Sequence, residues 1–213
     1  MPLQLYKVQI KWEQNFGGLN NKFYLLITLK RGVFPSFFFN LKKSNIKIRK
    51  AVLSDLQEIM RIISLCTKHM ISKKIFQWDE NYPSKNIFKE DIDNGYLMVL
   101  LLKSDIIGCV SVSNIMDDFY KKIEWKIKSN DSLYVHRLAI NPTFQGKGFA
   151  KFIMKYIEEI GIKTKAKSIR LDTFSLNKKN NKFYSNLGYL KLGQIYFRNQ
   201  SDMPFNCYEK VLK

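Results

Sequence analysis

Cysteine is scarce in this chain of 213 residues: Cys66, Cys109 and Cys207 make an odd set with no paired spacing. That excludes a disulfide framework, argues against a metal site and fits a reducing compartment. Long apolar runs are missing as well. None approaches the ~20 residues that a membrane span requires, so no membrane association is expected and a cytoplasmic protein is. Acidic residues are few, 18 against 36 Lys and Arg, which leaves a net charge of +18. The lysines are spread along the chain among Asn and Ile rather than gathered into a stripe, so nucleic acid is not an expected partner. Their field would attract an anionic ligand or an acidic partner. No internal repeat breaks the chain up, and at 46% hydrophobic it can bury a full core.

What the chain does have is a strand, a glycine pair and a helix in succession between 133 and 160. Leu133 to Ile140 is apolar and β-branched, and Asn141-Pro142 ends it because proline cannot donate to a ladder. Phe149, Phe152, Ile153, Tyr156, Ile157 and Ile160 then recur at helical steps, with Lys151, Lys155, Glu158 and Glu159 on the other face and Gly161 as the expected stop. Between them lies Gln145-Gly146-Lys147-Gly148-Phe149-Ala150. Glycines at such a junction let backbone approach a ligand, and the free N–H groups of a first helical turn favour an anion. The segment reads as a phosphate-binding site. It is neither of two better-known phosphate loops: Lys151 stands where a dinucleotide fold wants a small residue, and no Gly-Lys-Ser/Thr follows.

The remaining pattern, Gln-x-x-Gly-x-Ala, resembles the coenzyme A pyrophosphate loop of the GNAT superfamily of N-acetyltransferases. Other segments fall in that family's order over roughly residues 46–212. They are the opening strand and helix start from Ile46 to Leu56, Ile169-Arg-Leu-Asp-Thr, Asn177 seven residues ahead of Tyr184, and Leu187-Gly188-Tyr189. The resemblance implies an α+β (α/β three-layer) fold, a mixed and mostly antiparallel sheet with a central splay, flanked by helices. It implies transfer of an acetyl group from acetyl-CoA, a cosubstrate, to a primary amine by direct attack in a ternary complex, with no metal. By motif position, Leu138, Ala139 and Ile140 would offer backbone amides to the pantetheine arm. Gln145, Gly146, Lys147, Gly148, Phe149 and Ala150 would hold the pyrophosphate, and Asn177 would face the pantetheine. Relatives often carry alanine three residues after that Asn, where this chain has Asn180.

Tyr184 matches the tyrosine that protonates the departing thiolate in relatives. The acceptor amine, with a free pKa near ~10.4, must itself lose a proton before it attacks. His136, on the same strand as the cofactor amides, is a candidate base, and strand alternation puts it on the face opposite Val135 and Arg137. Asp172, at the end of the next strand, could orient or replace it, and Glu124 is another carboxylate. A packed, hydrogen-bonded side chain is the ordinary role of a lone strand histidine. Trp78, Tyr82 and Trp125 lie in loops where family members build substrate sites, with Asp172 beside them, and aromatic walls suit an amine. Core or lid packing reads equally well. The acceptor is a small amine, an amino acid or a protein N-terminus, and a homodimer through a sheet edge is compatible with the family. A non-catalytic acyl-CoA-binding sensor or regulatory module, or a nucleic-acid-associated basic protein, are the competing readings.

Residues 46–213 are expected to form the acetyltransferase domain and residues 1–45 an extension of different texture. There seven basic residues face only Glu13, and two apolar bursts, Phe23–Leu29 and Val33–Phe39, are short and interrupted by Pro35, a poor match to a secretory signal. A β-hairpin over the Gly17-Gly18 and Asn20-Asn21 turn signals and a loosely ordered appendage are both compatible with it. Within the domain, Ser54 is the expected cap of a first helix, followed by helices over Lys68–Phe76 and Ser84–Asn94. Strands are expected at Tyr96–Leu102, Ile106–Asn114, Ser168–Thr173, Tyr189–Phe197 and Phe205–Val211, with a helix over Asn177–Asn186.

Overall fold

The computed structural model describes residues 5–16, 19–30, 46–197 and 200–213. Near the N-terminus, Leu5–Phe16 (β1) and Leu19–Lys30 (β2) pair antiparallel, from Leu5 opposite Lys30 to Phe16 opposite Leu19. They form a two-stranded sheet of their own. Gly17-Gly18 and the Val33–Phe39 burst with its Pro35 lie outside the described residues.

The domain begins with Ile46–Lys50 (β3) and a helix over Leu56–Ile71 (α1), whose Leu56, Ile59, Ile62, Ile63 and Cys66 are buried along one side. Two expectations are corrected here. Ser54 does not cap this helix, because it lies inside a 3-10 turn over Leu53–Asp55. The Asp55 carboxylate does the anchoring instead, accepting the Val52 N–H at 2.8 Å and the Arg49 guanidinium at 2.6 and 2.9 Å. Nor is there a separate helix over Lys68–Phe76. Nothing between Cys66 and Met70 breaks the backbone, so α1 runs on to Ile71 and ends in a turn where Lys74 takes φ 58°. Lys85–Asp93 (α2) starts at Ser84, whose hydroxyl accepts the Ile87 N–H.

Seven strands make the main sheet. Leu97–Leu102 (β4), Asp105–Ser113 (β5), Ser132–Ile140 (β6), Ser168–Phe174 (β7), Leu190–Ile195 (β8) and Phe205–Val211 (β9) join β3 in the order β3-β4-β5-β6-β7-β9-β8. Every neighbouring pair is antiparallel except β6 and β7 at the centre. Helices Phe149–Lys163 (α3) and Lys178–Asn186 (α4) cover one face, where Phe149, Ile153, Ile157, Tyr184 and Leu187 pack on Val110, Val135, Leu171 and Tyr208. On the other face α1 and α2 bury Ile59, Ile62 and Phe88 against Leu97, Val99 and Cys109. Each such apolar side chain contributes roughly 1.5–3 kcal/mol when fully buried. Gly161 does not stop α3. It lies inside the helix, where an added Cβ would come within 2.5 Å of a Leu212 methyl, so the glycine serves close packing.

Two irregularities at the centre position the site. The β6–β7 ladder runs from Ser132 opposite Ser168 to Val135 opposite Leu171 and stops, although both strands continue. The sheet therefore forks. On its other edge β6 carries a bulge: Cys109 faces Ala139 and Ser111 faces His136, so Arg137 and Leu138 together oppose Val110. Such an extra residue bends the strand and re-aims its side chains. Arg137 takes φ 54°, a left-handed conformation rare outside glycine. The bidentate pair it makes with Asp91 of α2, at 2.6–2.9 Å and mostly out of water, holds it there.

Candidate functional site

A cleft of about 1310 Å³ opens at the fork. Its floor comes from β6 (Val135 to Leu138) and β7 (Asp172, Thr173), with Asn180 and Tyr184 of α4 on one side and Trp78 and Tyr82 from the loop before α2 on another. The bulge corrects the alternation expected of β6. The extra residue sends the Arg137 side chain to Asp91 of α2 while Leu138 packs with the core under α3, and His136, Arg137 and Leu138 all contribute to the cleft lining.

Asp172 stands on the cleft wall and accepts a hydrogen bond from the Tyr120 hydroxyl at 2.5 Å. Burial is the main cause that pushes its carboxyl up to about 6, and the nearby Asp117 carboxylate adds to it. The Tyr120 phenol is pushed well above its ordinary value, first by burial and then by Asp172, so it stays protonated and donates. His136 stacks on the same Tyr120 ring, 5.9 Å between centroids. Burial, with the adjacent Arg137 charge second, lowers the imidazole to about 4. The ring is therefore neutral near pH 7. Glu124, by contrast, is exposed and paired with Lys128 at 2.7 Å, outside the cleft lining.

Tyr184 is 6% exposed and lines the cleft, and its hydroxyl has no hydrogen-bond partner among the described residues. Burial, then the Asp172 carboxylate, drives its pKa far above the phenol range, so the proton stays on the oxygen at any physiological pH. Trp78 and Tyr82 both line the cleft, Trp78 with most of its ring in the core beneath. Trp125 does not. It is packed with Tyr120 and Phe205, donates its indole N–H to the Tyr120 carbonyl at 3.0 Å, and lies 4.6 Å from the Arg170 guanidinium. Asn177 is also occupied otherwise. Its side-chain oxygen caps α4 by accepting the Asn180 N–H at 3.1 Å, and its amide donates to Gln77 at 3.3 Å.

Beyond the end of β6 comes the glycine loop. Gly146 and Gly148 take φ 76° and 84°, and Gly148 is the residue from which α3 starts, its carbonyl accepting the first helical bond from Phe152 at 3.0 Å. In general the first turn of a helix presents N–H groups and the positive end of the helix dipole. A Cβ on Gly146 would meet nothing within 4 Å, so the surface there is open. Gln145 has a distinct role: its side-chain amide donates to the Ile140 carbonyl at 3.0 Å and ties the loop to the strand end. The Cys66 thiol donates to the same carbonyl from α1 at 3.2 Å. None of Gln145–Ala150 lines the cleft. The two are joined by the stretch of β6 from His136 to Ile140, which includes Leu138 and Ala139 and has no ladder partner on the β7 side. A backbone edge leading from a cleft to a glycine turn at a helix N-terminus suits a long ligand with an anionic group at one end.

Sequence reasoning missed Tyr120, Arg137 and Asp91. Tyr120 falls in a polar excursion without periodicity, and the Arg137–Asp91 pair joins positions 46 apart in the chain, so no local pattern announces either. The three cysteines are buried and free, and burial pushes the Cys66 thiol up to about 12 and the other two up as well. None is a poised nucleophile. Among the described residues no group of three or more His, Cys, Asp or Glu could hold a metal ion, and no helix is long and apolar enough to cross a membrane.

Comparison with known proteins bears on this geometry. The family model described as acetyltransferase (GNAT) family matches residues 56–189. No curated protein matches the chain. Among solved structures, one from Staphylococcus aureus Mu50 is 27% identical with a TM-score of 0.61, covering 78% of this chain and 99% of its own. A GNAT-family acetyltransferase from Streptococcus agalactiae 2603 is 25% identical with a TM-score of 0.67, covering 79% and 96%. A Salmonella typhimurium structure determined with its cofactor acetyl-CoA has the same fold at 15% identity and a TM-score of 0.58, covering 80% and 95%.

Proposed function

This chain belongs to the acetyltransferase (GNAT) family, and from that premise we propose that it transfers an acetyl group from acetyl-CoA to a primary amine by direct attack within a ternary complex. The observation that carries the reading is the continuous path from the two left-handed glycines, along the unpaired edge of β6, into the cleft at the fork. The diphosphate of acetyl-CoA would rest on the amides around Gly146 and Gly148. The pantetheine arm would run beside Leu138, Ala139 and Ile140, and the thioester would then arrive between β6 and Tyr184.

In this reading Asp172 accepts the proton that the amine loses. At about 6 its carboxyl is ionised at pH 7 yet closer to working pH than His136 at about 4, which makes it the better matched base. Tyr120 orients that carboxylate, and His136 serves as a neutral wall and relay. The amine nitrogen forms its bond to the acetyl carbon, the carbon–sulfur bond breaks, and Tyr184 gives its proton to the departing thiolate, the phenolate then taking a proton back from water. Direct transfer is supported by the buried, high-pKa cysteines, which offer no acyl-accepting thiolate. Calorimetry with acetyl-CoA, followed by thiol release across a panel of amines, tests the whole reading. Binding together with amine-dependent thiol release supports it, and saturating acetyl-CoA that produces neither heat nor thermal stabilisation overturns it.

A further inference from the structure

The cleft differs in charge from the rest of the molecule. The protein carries +18 overall, yet Asp79, Glu90, Asp91, Asp117 and Asp172 line the cleft. Lys122 and Arg137 are the lining cations among the described residues, and Arg137 is consumed by its bidentate pair with Asp91. The remaining excess is acidic in a chain where basic residues outnumber acidic ones two to one. Tyr184, more than nine-tenths buried, lines the same cleft with a hydroxyl that no described protein group accepts, and Trp78, Tyr82 and Phe119 add aromatic faces to the lining.

Resting on the proposed acetyl transfer, we infer that the acceptor is a small polycation: a diamine or polyamine whose second ammonium sits among Asp79, Glu90 and Asp117 while the first, deprotonated, meets the thioester. The aromatic rings accommodate the methylene stem between the two nitrogens and attract the remaining charge through their π faces. An acceptor with a carboxylate at that distance would instead face acids of its own sign.

Three four-carbon amines separate the cases: 1,4-diaminobutane, butylamine and 4-aminobutanoate present a distal cation, nothing, or an anion. With acetyl-CoA saturating, kcat/KM for the diamine should exceed that for butylamine about three- to tenfold, as two or three solvent-exposed ion pairs would give, with 4-aminobutanoate last. Adding an Asp79→Asn, Glu90→Gln double change should narrow the diamine's advantage over butylamine several-fold, mainly through KM. The asparagine keeps the oxygen that accepts the Asn81 and Tyr82 N–H groups, so the turn is preserved. Calorimetric binding of the three amines to the CoA complex reads the same preference independently of turnover. Transfer or binding without preference for the diamine, or with preference for 4-aminobutanoate, overturns the inference and leaves acetyl transfer standing. Failure to bind acetyl-CoA overturns both.

Discussion

A partly buried carboxylate and a buried phenol in one cleft set opposite requirements on their surroundings. Asp172 must be able to ionise at neutral pH, and Tyr184 must keep its proton until the thiolate departs. Burial raises both pKa values, but the outcomes differ because the carboxyl starts low and the phenol starts high. The rate should therefore rise with pH through about 6, as Asp172 loses its proton. His136→Gln should keep that acidic limb, since the imidazole at about 4 is already neutral across the range, whereas Asp172→Asn should remove it. A pH–rate profile that loses the limb in the histidine variant would falsify the carboxylate as base. Tyr184→Phe should lower kcat by about 10²–10⁴-fold, the usual contribution of a positioned proton donor, with acetyl-CoA affinity nearly unchanged by calorimetry. Stability carries an independent signature. Because the folded pKa of Asp172 lies above its unfolded value, its stabilising contribution is present below the unfolded pKa and disappears as pH rises through about 6. Asp172→Asn should thus stabilise the protein at pH 7 to 8, by on the order of 1–3 kcal/mol, and do little at pH 4. Thermal melts at the two pH values check this.

At the scale of elements, the fork, the bulge and the loop act together, and each can be disturbed alone. Gly146→Ala meets no neighbour within 4 Å, so its cost is conformational, about 1–2 kcal/mol for a left-handed residue with a Cβ. The expected result is a raised KM for acetyl-CoA in a protein that still melts cooperatively, and an unchanged KM would count against the loop as the diphosphate site. Arg137→Met leaves Asp91 buried without its partner and should cost about 3–5 kcal/mol, measured by denaturant unfolding. The loop was legible in the sequence because its determinants are local: glycines at a strand-to-helix junction and an apolar stripe behind them. The faces of α1 and α3 were legible for the same reason. The bulge was not, since an arginine adopts φ 54° only where a partner far along the chain holds it. Position in the chain suggests ligand contacts for Trp125 and Asn177 but says nothing of the partners their polar groups find within the fold. Their indole N–H and amide groups, once buried, had to find hydrogen-bond partners, and found them in the Tyr120 carbonyl, the α4 N-terminus and Gln77. The continuation of α1 past Lys68 was hidden because no breaker marks where one helix might have become two.

For the whole molecule the open question is what the N-terminal residues contribute. The β1–β2 pair forms a sheet that shares no ladder with the seven-stranded one, the family match starts at residue 56, every residue lining the cleft lies beyond 76, and the earliest group at the loop is Cys66. The central sheet closes its first edge with β3, which begins at Ile46. A chain shortened to begin at Ser44 should accordingly keep its cooperative transition within a few degrees, bind acetyl-CoA within about twofold, and transfer acetyl groups at the full-length rate. Its charge remains strongly basic, because residues 1–45 hold only seven of the 36 Lys and Arg. The attraction of anionic acetyl-CoA should survive as well, seen as a kcat/KM for the cosubstrate that falls with added salt in both forms. A shortened protein that folds but loses transfer would make the hairpin part of the working enzyme. The same experiment repeated with the three amines would then show whether it acts on the acetyl donor or on the acceptor.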